Sequence, residues 1–287
     1  DAKKAHIPII LVNNGVDTDD SSLYSCMLGS DYGKQMKKAG KWLDEYLKEE
    51  DEKKAEKEKA ASEAPTQEES EQTDSEDTEV NTDSSKATDS SASIFDKIMK
   101  SSSTAKDETD STEEEQTEED ITIKIAAIQE SIGSEEQLMR AQGYQTMLER
   151  YSDWEMVAQQ TGDNSREEAE KVMKLFLEQE PDLRVVFAES DEMALGAIDA
   201  IGKSGKTCGE DGDIIVISFG GSKAGIEAVK EGKLNVTFEC NPGQGPKAAE
   251  LIQRLESDIS IDKEQYVEET YFDGTMDLDE IIENRTY

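Results

Sequence analysis

From residue 122 onward the chain repeats one alternation: a short run of β-branched residues, then a stretch with the period of an amphipathic helix. The runs TIKIAAI (122–128), WEMVAQ (154–159), RVVFA (184–188), DIIVISF (213–219) and NVTFE (235–239) predict strands, and PIILV (8–12) predicts one ahead of them. Between them Ala169, Val172, Met173, Phe176 and Leu177 share one helical face, introduced by Ser165 and Glu168 in the spacing of a capping box. Ser134 and Gln137 open the preceding helix in the same way. Ala194, Ala197, Ile198 and Ile201 repeat the pattern, with Gly202 and Gly205 as its stop. Strands joined through helices must run parallel, and the helices then cover both faces of the sheet. The predicted fold class is therefore α/β.

One stretch interrupts this plan. Residues 51–120 hold 24 acidic and 8 basic residues and almost nothing apolar. Such a composition buries too little surface to offset the entropy of ordering, so a disordered acidic insert is expected there. Its apolar island, SIFDKIMK (93–100), reads as a brief helix, a weak docking motif or chance clustering.

The totals exclude several functions. A net charge of −37 repels phosphates, which argues against nucleic acid as a partner. Cys26, Cys208 and Cys240 lie far apart and in no zinc or disulfide spacing, so no metal and no disulfide framework is expected. His6 is the only histidine and follows a Lys-rich helical segment, where a surface role is expected; a Ser-His-Asp or Cys-His system would have to recruit it, and no glycine-rich phosphate loop is present. No cofactor and no enzymatic activity are expected. The chain opens at Asp1, so any signal peptide or lipid anchor has been removed or was never included.

In open parallel sheets ligands bind beyond the carboxyl ends of the strands. The segment AESDE (188–192) is such an end, where Glu189, Ser190, Asp191 and Glu192 serve either as caps of the next helix or as ligand contacts.

The segments GDNSREEAEKVMKLFLEQEPDLRVVFAESDEMALGAIDAIGKSG and VISFGGSKAGIEAVKEGKLNVTFECNPGQGPKAAEL resemble the second half of a type 1 periplasmic sugar-binding protein. The galactofuranose-binding branch of ABC-transporter solute-binding proteins is the most similar. AHIPIILVNNGVDTDDSSLYSCMLGSDYGKQMKKAGKWLDEYL resembles the last strand of that family's first lobe, a hinge crossing and the first helix of its second lobe. The resemblance implies a remnant of the first lobe at 1–24, a hinge crossing and helix at 25–50, the insert at 51–120, the second lobe at 121–239, and a return to the first lobe at 240–287, with a last strand near Tyr266 to Phe272. Roughly 100 residues that open the first lobe in such families are absent, either because the sequence is a fragment or because another chain supplies them.

The resemblance also implies site residues. The family's Asp-Arg pair falls on Asn13 and Asn14, and its second-lobe arginine on Arg140, on the first turn of a helix. Its Asn-Asp pair falls on Ser190 and Asp191, an aspartate falls on Gly220, and Glu239 matches the branch at the second crossing. Planar amides, carboxylates and guanidinium groups suit sugars because each takes two vicinal hydroxyls at once. The implied function is an extracytoplasmic receptor that delivers a small sugar to an ABC permease, membrane-tethered if a lipid anchor precedes it. A sugar-sensing domain of the LacI type and a degenerate lobe that binds nothing are the alternatives. With carboxylates missing at 13 and 220, the cleft is expected to be less hostile to an anionic sugar such as a uronic acid.

Overall fold

The computed structural model describes residues 1–16, 18, 20–63 and 122–287. Two sheets form. β1 (Ile10–Val12), β2 (Cys26–Gly29) and β8 (Glu264–Tyr266) make a three-stranded parallel sheet in the order β1-β2-β8. The larger sheet runs β4-β3-β5-β6-β7-β9, from β3 (Ile123–Gln129), β4 (Trp154–Thr161), β5 (Val185–Ala188), β6 (Ile215–Gly220), β7 (Val236–Glu239) and β9 (Tyr271–Asp273). Its strands are parallel except β9, which pairs antiparallel with β7 through Phe272 opposite Thr237.

Strand residues alternate between the two faces of the larger sheet. Ile125, Ala127, Val185, Phe187, Ile215 and Ile217 face α1 (Tyr32–Glu63) and α2 (Glu135–Arg150), meeting Met36, Leu43, Tyr144 and Met147. Ala126, Ile128, Val186, Ala188 and Val216 face the other way, toward α3 (Arg166–Gln179), α4 (Asp191–Ser204) and α5 (Lys223–Lys230). The predicted face of α3 is the buried one, with Ala169, Val172, Met173 and Phe176 in the core and Leu177 packed against it. The caps also match: Ser134 and Ser165 accept the backbone N–H three residues on. The smaller sheet has a slight core, Cys26 and Leu28 against Leu251 of α6 (Gly245–Glu256). No helix among the described residues is long and apolar enough to cross a membrane.

Three expectations need correcting. β2 lies in the smaller sheet, so the crossing begins after Gly29 rather than at residue 25. The C-terminal segment divides: β8 joins the smaller sheet, whereas β9 and α7 (Leu278–Asn284) return to the larger one, because Phe272 and Leu278 bury in its core. The first residues of the acidic stretch are helical, since α1 continues to Glu63. Apart from Asp51 and Ser62, residues 50–63 are Ala, Glu and Lys, strong helix formers that also pair at i and i+4, as Lys54 does with Glu50. The chain separates into Asp1–Lys57 with Asp120–Tyr287, and a second unit, Glu58–Glu119. The remainder of the expected insert, including SIFDKIMK, lies outside the described residues.

Candidate functional site

Strands β3, β5 and β7 each leave a carboxylate at or just beyond their carboxyl ends, Glu130, Glu189 and Glu239, and β6 carries Ser218 two residues before its end at Gly220. Arg140 projects among them from the second turn of α2, not the first. It is 1% exposed. Its Nη1 donates to Glu130 Oε1 at 3.2 Å and to the Glu189 carbonyl at 3.1 Å, and Nη2 reaches Cys240 Sγ at 3.5 Å. The guanidinium also lies over the rings of Tyr32 and Phe219, at 5.0 and 4.7 Å from their centroids. Burial pushes the Cys240 thiol up to about 11, so it stays neutral beside this cation.

Burial raises the proton affinity of two carboxylates beside Arg140, Glu130 and Glu189. Burial pushes Glu130 up to about 7, against the pull of Arg140 and with help from Glu136. Glu189, also raised by burial, accepts the Glu130 amide through Oε2 at 2.9 Å. Glu136 accepts the Tyr32 hydroxyl at 2.9 Å.

The other positions implied by the resemblance hold the protein's own groups. Asp191 is 5% exposed; Oδ1 accepts the hydroxyls of Ser218 (2.6 Å) and Thr237 (2.7 Å), and Oδ2 the Ser222 amide (2.7 Å). Ser190 caps α4 by accepting the Met193 amide. Gly220, at φ 153°, faces this carboxylate so closely that a Cβ there would stand 2.6 Å from Asp191 Oδ2. A carboxylate at position 220 is therefore excluded by Asp191 itself. Glu239 Oε1 accepts from Arg285 Nη1 (2.8 Å) and Tyr287 Oη (2.7 Å), and Oε2 from the Thr270 amide (3.2 Å). Asn13 sits at a left-handed φ of 71°, donates to Asn14 Oδ1 at 3.3 Å and accepts from Gln244 Nε2 at 3.3 Å, with both asparagines exposed. Next to them the Gly15 amide donates to Glu135 Oε2 at 2.8 Å, which ties the smaller sheet's loop to the start of α2.

Five buried side-chain atoms among the described residues lack a hydrogen-bond partner: Arg140 Nε, Tyr144 Oη, Glu189 Oε1, Gln244 Oε1 and Arg285 Nη2. Arg140 and Tyr144 lie on α2, Glu189 just beyond β5, Gln244 at the start of α6 and Arg285 after α7. Buried polar groups are rarely left unpaired; the Tyr144 hydroxyl and the Glu189 carboxyl lie against each other and interact as a donor and acceptor, whereas Arg140 Nε, Gln244 Oε1 and Arg285 Nη2 have nothing opposite them. Sequence reasoning named Arg140 and weighed Glu189 as cap or contact. It missed Tyr144, Gln244 and Arg285. Tyr144 was visible one turn beyond Arg140, but nothing near Arg285 in sequence points to Glu239.

Three passages of chain join the sheets: Ser30–Asp31, the segment after β7, and residues 267–270. Glu269 binds all three together. Its Oε1 accepts from Ser30 Oγ (2.6 Å) and the Asn241 amide (2.9 Å), its Oε2 from Gln35 Nε2 (2.8 Å), and its carbonyl from Lys38 Nζ (2.7 Å).

Comparison with known proteins agrees with this layout. The ribose import binding protein of Salmonella typhimurium is 34% identical over 133 residues, 46% of this chain and 43% of that protein. The galactofuranose-binding protein of Escherichia coli is 25% identical over 137 residues, 47% of this chain and 42% of the other. The chain thus spans less than half the length of the curated relatives it matches. A solved galactofuranose binding protein superposes with a TM-score of 0.67 at 19% identity, over 99% of this chain and 72% of its own. A Mycobacterium smegmatis protein in complex with β-D-fucofuranose gives 0.65 at 24% identity, over 99% and 69%. The family model described as a periplasmic binding protein domain matches residues 1–258, and the chain belongs to that family.

Proposed function

We propose that this chain is the ligand-gripping part of an extracytoplasmic solute-binding protein that passes a monosaccharide or sugar derivative to an ABC permease. The observation that carries the reading is the set of buried atoms with nothing opposite them, which mixes donors with an acceptor. A polyhydroxylated ring offers both on one small body, so it suits a donor such as Arg140 Nε and an acceptor such as Gln244 Oε1. The names of the relatives, which bind ribose, galactofuranose and fucofuranose, support the same class of ligand. Arg140, Glu189 and Tyr144 are the gripping groups, with Asn13, Asn14 and Gln244 on the opposing side. Asp191, Ser190, Gly220 and Glu239 shape the wall without touching the ligand.

Engagement of Asp191 and Glu239 by the protein's own groups favours a second reading, a lobe that folds around itself and takes no sugar. Calorimetric titration with a panel of pentoses and hexoses separates the two. Saturable binding that weakens at least about tenfold, or about 1.4 kcal/mol, in Arg140→Lys supports the receptor; absence of heat across the panel supports the self-filled lobe.

A further inference from the structure

Two carboxyl groups beside Arg140 close a ring of contacts with it. The turn between β3 and α2 folds Glu136 back onto Glu130, and their carboxyl groups meet as a hydrogen-bonded pair. Two carboxyl groups hydrogen-bond only when one of them carries a proton, so the pair holds at least one between them. Tyr32 donates its hydroxyl to Glu136 Oε1 at 2.9 Å, Arg140 Nη1 donates to Glu130 Oε1 at 3.2 Å, and the guanidinium lies over the Tyr32 ring at 5.0 Å. The contacts thus run from Tyr32 through Glu136, Glu130 and Arg140 back to Tyr32.

The other ionisable groups around the pair have partners of their own. Glu189, past β5, accepts the Glu130 amide at 2.9 Å, and its carboxyl lies against the Tyr144 hydroxyl. Cys240, past β7, lies 3.5 Å from Arg140 Nη2 as a neutral thiol. Asp163, past β4, accepts the Ser131 hydroxyl at 2.7 Å, and Glu135 accepts the Gly15 amide at 2.8 Å. The cation that faces the pair is Arg140, so loss of the shared proton sets two negative charges against one positive. The Glu130 side chain keeps 12% of its surface exposed. A sugar held by Arg140 Nε, a buried donor with nothing opposite it, would cover that remainder. Removing water penalises the ionised pair further, and neutral hydroxyl groups bring no compensating charge.

We propose that Glu136 is a positioning residue that links ligand binding to protonation: it keeps a proton on its pair with Glu130, the pair takes up more proton when a sugar covers it, and affinity falls as pH rises past neutrality. This rests on the sugar-binding reading above. The covered pair holds its proton more tightly than the open one, so binding is tightest where both are protonated and weakens where the open pair has lost its proton. Open Glu130 titrates at about 7, which sets the window from there upward.

The test is calorimetric titration of the full chain with D-ribose, D-galactose and L-arabinose. Running it in phosphate and in Tris, whose ionisation enthalpies differ, counts the protons exchanged. The tightest of these sugars is expected to bring roughly 0.3 to 0.5 of a proton at about pH 7.5, and to bind about three- to tenfold more weakly at pH 9 than at pH 6. Glu136→Gln gives Glu130 an amide donor in place of a carboxyl partner, so the uptake should fall by roughly half or more and the pH dependence should flatten. Circular dichroism establishes that the variant is folded; should it not fold, Glu130→Gln takes its place with the same loss expected. His6→Ala removes the only histidine and should leave the proton count unchanged. Proton release, or an affinity independent of pH, overturns the linkage and leaves the sugar receptor standing. Uptake that is undiminished in Glu136→Gln, or that disappears in His6→Ala, overturns the assignment to this pair. Failure of every sugar to bind overturns both this inference and the reading beneath it.

Discussion

Asp191 and Gly220 show how one residue fixes its neighbour. The Asp191 carboxylate accepts three hydrogen bonds in a buried pocket, and both Gly220 and Gly225 leave it room, since a Cβ on either would stand within 2.6 Å of an oxygen. Restoring a carboxylate with Gly220→Asp should destabilise the protein by about 2–4 kcal/mol, through overlap and like charge, in denaturant unfolding. In an Asp191→Ala background the same substitution should cost much less, so the cycle would show strong coupling. Glu130 gives a pH-dependent counterpart. Its folded-state pKa is raised from 4.5 to about 7, so the folded state binds the proton more tightly than the unfolded chain. Its contribution is therefore favourable below about 4.5, is lost as pH rises toward 7, and stays lost above. Melting temperature should fall across that window, and Glu130→Gln should flatten the fall and melt higher than the parent protein at pH 8.

At the scale of elements, legibility followed burial. β3, β5, β6 and β7 are buried on both faces and spell themselves in Ile, Val and Phe, which is why each was placed within about two residues. β2 reads CMLG, without a β-branched residue, and β8 and β9 are three residues each, set by the strands they join rather than by their own propensity. The far end of α1 was misread because its polarity matched that of disorder, although Ala, Glu and Lys favour a helix. At the site, Arg140 was legible only through the resemblance, and Glu189 through the abrupt change from apolar to acidic at a strand end. The contacts that occupy Asp191 and Glu239 come from residues 27 to 48 positions away and were invisible in any local pattern. α1 is anchored midway by Glu50, buried against Arg184, whose Nη1 also donates to the carbonyls of Gly212 and Asp213 at 2.7 and 2.8 Å. Glu50→Ala should cost about 3 kcal/mol because it strands a partly buried guanidinium, whereas Glu50→Ala with Arg184→Met should recover most of that loss in the same unfolding assay.

For the whole molecule, the two sheets are unequal. The larger has a core on each face, while the smaller rests on Cys26, Leu28 and Leu251, with Ile7, Val12, Leu23, Ile252 and Ile259 exposed around it. Hydrogen exchange should therefore release residues 10–12 and 26–29 well before 125–128 and 185–188, and equal protection of both sets would contradict this ordering of stabilities. The carboxylate of Glu269, bonded to each passage between the sheets, has a mechanical meaning. Three separate strips can slide past one another and twist, whereas strips riveted at one point must flex together along a single crease. On the proposed receptor reading, opening would then be confined to one degree of freedom, the groups on the two banks would meet in the same alignment at every closure, and a ligand would be met by a preset grip instead of a search among many.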